Sequence, residues 1–281
     1  MFRTVANNVW AFDLEWVPDA ASGRRAYNLP AGTPDEEVYR VMWERSGATD
    51  ENPRPYLKTM LCRVVSVAAV LRQVYEDGRV ALILHSLPDK SWNGPMSEDE
   101  LIGRFLHGLE GSRERPQLVG FNSREADLPI LIQRGIVNGI TAAGLCHRPE
   151  KSWEGYDYFN KYNEAHIDLK EVVGGWGKAT PSLHEFASAC GIPGKMGTAG
   201  DNVIDLWLAG DIRAIVDYNE FDALTTYLVW LRTAHFAGFF SDDQYVAEQT
   251  LLRDLIRRQI DGGRAHLARY LERWDELSAL V

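Results

Sequence analysis

The chain predicts an α/β fold, a mixed five-stranded sheet flanked by helices and followed by a helical C-terminal extension. Three observations lead there. Apolar β-branched runs and amphipathic runs alternate in the order strand, strand, strand, helix, strand, helix, strand, helix, which gives an antiparallel meander and then parallel units with helices on both faces. A tight-turn pair, Asp77-Gly78, joins two of the long apolar runs. The chain has 281 residues and is 45% hydrophobic, ample for such a core.

The elements follow in order. Val9 to Val17 is β-branched and aromatic and predicts a core strand. A polar insertion spans about 18–52, in which Thr33-Pro34-Asp35-Glu36-Glu37 predicts an N-cap, a Pro at the first helical position and a helix to about Arg45. Arg63 to Tyr75 and Arg79 to Leu87 are strands paired across Asp77-Gly78. Ser97-Glu98-Asp99-Glu100 predicts a capped helix start, with Leu101, Ile102, Phe105, Leu106 and Leu109 on one face. Pro116 to Phe121 is a short strand, Leu128 to Arg134 a helix closed by Gly135, and Glu164 to Val173 a strand and turn. Helices then cover Ser182 to Ala189, Asn202 to Leu208, and Asp211 to about Thr233. The extension is helical with a break at Gly262-Gly263, and its apolar spacing predicts packing onto the domain of residues 1–240 by the segment 241–281.

Composition narrows the function. Lys and Arg number 30 against 40 Asp and Glu, a formal charge of −10, which argues against a basic non-specific coat for nucleic acid. A nucleic-acid enzyme stays open, because bound cations offset acidic ligands. Cys62, Cys146 and Cys190 are odd in number and contain no Cys-x-x-Cys pair, which disfavours structural zinc and fits a reducing compartment. With no leader-like start and no apolar run of membrane length, the expectation is a cytoplasmic protein without membrane association.

Three acidic elements carry the chemistry. Asp13 and Glu15 lie two apart on the first strand, so they share a face about 6.6 Å apart along the chain. Like charges on one face of a core strand repel, and burial worsens it. Divalent hard cations relieve both problems; the alternative is an edge strand with solvated acids. Asn122 closes a strand and Asp127 opens the helix after it, at the kind of strand end where α/β sheets bind ligands. A turn former and a helix cap are the plainer roles for that pair. Tyr218 and Asp222 stand at i and i+4 on one helix face, where a core Tyr bonded to a surface Asp is the alternative.

Taken in this order, Asp13-x-Glu15, Asn122 through Asp127, and Tyr218-x-x-x-Asp222 resemble the three exonuclease motifs of the DEDD superfamily. Tyr in place of His in the last motif resembles the DEDDy branch. Lys161 to Leu169 and Leu183 to Val203, with Gly191-Ile-Pro-Gly-Lys-Met-Gly197, add to a likeness over about residues 8–235. The chain thus resembles stand-alone bacterial relatives of the 3′–5′ exonuclease domain of family B DNA polymerases. That resemblance implies a ribonuclease H-like fold and a metal-dependent 3′–5′ exonuclease. Such an enzyme removes nucleoside 5′-monophosphates from the 3′ end of single-stranded DNA. It implies Asp13, Glu15, Asp127 and Asp222 as ligands of two divalent ions, Mg²⁺ or Mn²⁺, with Tyr218 orienting the attacking water. It also implies substrate contacts at Phe12, Leu14, Asn122, Ser123 and Lys195.

Two positions depart from the family pattern. Ala126 replaces the aromatic residue usual before the second-motif Asp, and Trp16 replaces a small residue after Glu15. Trp16 is expected to point away from the carboxylates into the core. Trp153, Tyr156, Tyr158, Phe159 and Tyr162, with Lys151 and Lys161, form either an aromatic flap over a single strand or a loop packed by its aromatics. Asp168 is expected to be a structural strand-end residue, and His166 to be structural as well. The readings that compete with a DNA exonuclease are an exoribonuclease of the same mechanism, a catalytically weak nucleic-acid-binding module, and a structural protein with solvated acids.

Overall fold

The structure, a computed structural model, describes residues 1–89, 94–112, 114–151, 154–174, 179–196 and 203–279. Its five-stranded sheet has the order β3-β2-β1-β4-β5. The central strand β1 (Asn8–Pro18) pairs antiparallel with β2 (Cys62–Val74), which pairs antiparallel with β3 (Val80–Leu87). On its other side β1 pairs parallel with β4 (Gln117–Gly120), and β4 pairs parallel with β5 (His166–Asp168). This meander followed by parallel strands is the ribonuclease H-like arrangement. Between Glu15 and Trp16 the β1–β2 register shifts, a bulge of the kind that twists a strand and re-aims its side chains.

Helices cover both faces. On one side lie α1 (Ala20–Tyr27), α2 (Asp35–Arg45), α3 (Glu98–Gly111) and α4 (Asp127–Val137). There Phe12 and Leu14 of β1 join Leu101, Phe105, Leu128 and Leu131 in one buried cluster. The short α5 (Ala143–Cys146) adds Leu145 to it. On the other side, α6 (Leu169–Gly174) follows β5, and α7 (Leu183–Ala189) and α8 (Val203–Leu208) lead to the long α9 (Ile212–Phe236). Val9 and Ala11 of β1 are buried there with Leu224, Leu228 and Leu231 of α9. Val17 instead joins Val203 of α8 and Ile215 of α9 in a small third cluster. The strand period therefore sends Asp13 and Glu15 toward α9 and Phe12 and Leu14 toward α3 and α4.

The C-terminal helices α10 (Asp242–Asp261) and α11 (Leu267–Ser278) contribute Leu252, Ile256, Leu267, Tyr270 and Trp274 to the same core cluster as α9. A buried ion pair reinforces the seam: Arg72 of β2 donates to Glu248 of α10 at 2.5 Å, and the Tyr227 hydroxyl donates to Glu248 at 2.8 Å.

Several sequence expectations are corrected. The insertion contains α1 as well as α2, and the α1 N-cap is Asp19, which accepts from the amides of Ala21 and Ser22. Pro34 rather than Thr33 holds the α2 N-cap position, and no side chain caps that end. Ser97 sits at the α3 N-cap without a side-chain bond to the helix amides. Gly135 lies inside α4, and the turn falls later, at Gly139 with its positive φ. Beyond Asp168 the expected strand and turn is a helix, α6. Trp153, Gly197 and Asn202, singled out in the sequence, lie outside the described residues.

Buried charge on the α4 side was not legible in the sequence. Arg134 donates to Asp19 at 2.9 Å and to Glu98 at 2.6 Å, and Glu98 also accepts the Val64 amide. A fully paired guanidinium satisfies two carboxylates that burial alone would leave costly. This network ties α1, α3 and α4 to β2 behind the second acidic element.

Candidate active site

The parallel pairing of β1 with β4 runs only from Val9 to Ala11. Past that point the edge of β1 is open, and α4 begins beside it. The carboxylate of Asp127, at the first position of α4, accepts the Leu14 amide at 3.1 Å. The amide that a longer β4 would have bonded thus fixes Asp127 beside Asp13 and Glu15.

From above, α9 lowers Tyr218 and Asp222 onto the same spot. One ligating oxygen from each of Asp13, Glu15 and Asp222 lies within 4.8 Å of the other two. Desolvation pushes Asp13 and Glu15 well above their ordinary values, and the charges of Asp222 and Asp127 push them further. Burial likewise raises Asp127 to about 7 and Asp222 to about 6. Carboxylates that resist ionising together could hold hard dications, whose preferred ligands are oxygens. Lys195 is exposed, and its charge lowers both Glu15 and Asp222. Burial and the neighbouring carboxylates hold the Tyr218 phenol above its ordinary range, so it remains a donor, hydrogen-bonded to Asp222.

The other expected site residues divide. Asn122 has a left-handed backbone with φ of 64°, its side-chain oxygen accepts from Lys170 Nζ at 2.7 Å, and its amide donates to Asp168 at 2.8 Å. Ser123 is fully buried, its hydroxyl 2.8 Å from His166 Nε2. The side chains of Phe12 and Leu14 are buried in the α3–α4 layer, so only their main chain faces the cleft. Trp16 packs half-buried against that same layer, opposite Glu15. Ala126 is buried at the N-cap of α4.

Asp168 is a strand-end anchor. It accepts the amides of Asn122, Arg124 and Lys170 and so braces the β4–α4 turn. His166 is buried, and desolvation pushes it down to about 3, so it is neutral. The aromatic stretch splits: Tyr158 is buried with its hydroxyl on the Pro116 carbonyl at 2.7 Å, so it packs the loop down rather than forming a flap. Tyr162 is 81% exposed, with Lys161 over its ring.

The sequence missed a second acidic group behind α9. Glu220, on the opposite side of the helix from Tyr218 and Asp222, accepts from Ser86 Oγ and Arg264 at 2.7 Å each. His266 Nε2 is 2.8 Å from Glu220, and its other nitrogen is 3.3 Å from Asp217. The only available signal was an acid two residues from each site position on one helix, with Arg and His following a Gly-Gly break.

Comparison with known proteins identifies the class. Residues 54–274 match the model of a family of predicted 3′–5′ exonucleases related to the exonuclease domain of PolB, and the chain belongs to that family. The matched stretch spans Asp127, Tyr218 and Asp222 and runs into α11; Asp13 and Glu15 precede it. The solved family B DNA polymerase of the hyperthermophilic archaeon Pyrobaculum calidifontis is similar at 16% identity and a TM-score of 0.48, over 82% of this chain and 25% of the polymerase. The chain thus spans about a quarter of that polymerase's length. No curated protein matches. No helix among the described residues is long and apolar enough to cross a membrane.

Proposed function

We propose that the protein is a DEDDy-type 3′–5′ exonuclease that removes nucleoside 5′-monophosphates from single-stranded DNA at the Asp13–Glu15–Asp127–Asp222 site. The convergence of three carboxylate oxygens within 4.8 Å carries the reading. Mutual repulsion of this size in a desolvated cleft opposes folding unless cations occupy it. Asp13, Glu15 and Asp222 would hold one Mg²⁺ or Mn²⁺, and Asp13 with Asp127 a second. Such ions supply Lewis acidity at the scissile phosphate and favour deprotonation of the attacking water.

The chain's own residues do the rest. Tyr218 stays protonated and hydrogen-bonded to Asp222, so its hydroxyl is positioned to orient a water for in-line attack. The Leu14 amide holds Asp127 in one orientation at the open edge of β1. Lys195, exposed beside Glu15 and Asp222, is available to a phosphate oxygen.

The test is digestion of matched DNA and RNA oligonucleotides labelled at the 5′ end, in Mn²⁺, with the released product identified by mass. A descending ladder on DNA with 5′-mononucleotide product is expected. A strong preference for RNA would replace the substrate with the ribose polymer and keep the mechanism. A 3′-phosphorylated product would refute water attack with the 3′ oxygen leaving.

A further inference from the structure

Beside the carboxylates lies a groove of about 170 Å³ lined by Trp16, Val17, Trp43, Arg54, Tyr56 and Ile204, among others. We propose that it is a stacking subsite for one unpaired nucleobase within the last two nucleotides of the substrate strand. The inference rests on the function proposed above and names what that site recognises.

Location is the first argument. Trp16, which lines the groove, follows Glu15 directly across a shift in the β1–β2 register. On one wall, Val17 and Val203 are buried together, and Tyr218 and Ile204 pack against the same cluster. The groove therefore adjoins the carboxylate site on its Tyr218 side.

Its chemistry is the second argument. Tyr56 is 69% exposed, although a residue of its size gains by burial. Trp43 is half-buried and carries the Arg54 guanidinium 5.4 Å from its ring centroid. Arg54 also pairs with Asp205 at 2.7 Å, both side chains nearly half exposed. A surface ion pair of this kind contributes little and exchanges readily for a phosphate. Aromatic faces beside an exchangeable arginine are what single strands require of a protein, and stacking on such faces tolerates any base. The volume is below the roughly 300–1,000 Å³ of pockets that bury drug-sized ligands and is on the scale of one flat ring system. The strand end must then be unpaired to enter, which makes the groove a determinant of single-strand preference.

The residues come from outside the acidic motifs. Trp43 belongs to α2 of the insertion, and Arg54 and Tyr56 to the segment between it and β2. The insertion thereby gains a role: it supplies one wall of a nucleobase site.

The test uses the full chain and fluorescence anisotropy of labelled single-stranded DNA, with Ca²⁺ replacing Mg²⁺ to hold back cleavage. Wild type, Tyr56→Ala and Tyr56→Phe are compared on intact DNA and on DNA with one abasic residue at each of the last three positions. Tyr56→Ala is expected to weaken binding about tenfold and Tyr56→Phe to retain it. One abasic position among the last two is expected to weaken wild type by a similar factor and to add nothing in Tyr56→Ala. Exposure of Tyr56 means its truncation spares the core, which circular dichroism checks. Equal affinity for Tyr56→Ala, or losses that simply add, would overturn the subsite while a persisting ladder left the exonuclease standing. A folded wild type that neither binds nor cleaves single strands would overturn both.

Discussion

Replacing Asp13 with Asn should stabilise the metal-free protein while removing its activity. Asp13 shares its space with Glu15 and Asp222, one oxygen of each within 4.8 Å, and Asp127 acts on it as well. At an effective dielectric of about 20, a unit-charge pair at that separation costs about 3 kcal/mol. Partial protonation offsets part of it, leaving a gain of about 2 kcal/mol for the neutral, nearly isosteric amide at pH 8. For a chain of this size that amounts to about 3–4 °C in Tm. The sign with pH follows from the same charges. Carboxylates with raised folded values keep protons that the unfolded chain releases, so stability falls as pH rises from about 4 through about 7. The variant's advantage is therefore largest at pH 8 and shrinks toward pH 5. Differential scanning calorimetry in chelator at both pH values is the assay, followed by a repeat in Mn²⁺, which should raise the wild-type Tm more than that of the variant. A variant that melts below wild type in chelator at pH 8, or an advantage that grows on acidification, would refute the reasoning.

Three further outcomes follow from the same geometry. Tyr218→Phe removes only the hydroxyl bonded to Asp222; steady-state kinetics should show kcat falling about 10²-fold, with KM and Mn²⁺ affinity held. Protons compete with cations at Asp127 and Asp222, whose values are pushed up to about 7 and about 6, so isothermal titration should find Mn²⁺ binding weaker at pH 6 than at pH 8, with more protons released at pH 6. Arg134→Met leaves the buried carboxylates of Asp19 and Glu98 without their cation; urea unfolding should show a loss of about 3–5 kcal/mol, and a loss below 1 kcal/mol would contradict the network's importance.

Much of this structure was legible in the sequence because periodicity and punctuation govern it. The meander across Asp77-Gly78, the capped helix from Ser182 and the Gly262-Gly263 break all match observed elements. The strand period alone placed Asp13 and Glu15 on one face, and the helical period placed Tyr218 with Asp222. What sequence reasoning missed is long-range. Nothing local to Glu98 announces that Arg134 will reach it from α4, or that this contact takes the place of a simple cap on α3. Glu220 looks like any helix acid until Ser86 and Arg264, 134 and 44 residues away, converge on it. The groove beside Trp16 likewise draws on α2, the segment after it and α8. Tyr158 could be assigned to a flap or to a packed loop, and only its bond to Pro116 decides between them.

The most direct measurement is to follow 5′-labelled single-stranded DNA in Mn²⁺ with wild type and Asp13→Ala side by side, each repeated in chelator. The account predicts a ladder shortening from the 3′ end in wild type, lost in chelator and lost in the variant although calorimetry shows the variant folded. A ladder that survives either removal of the cation or loss of Asp13 would contradict catalysis at this carboxylate site.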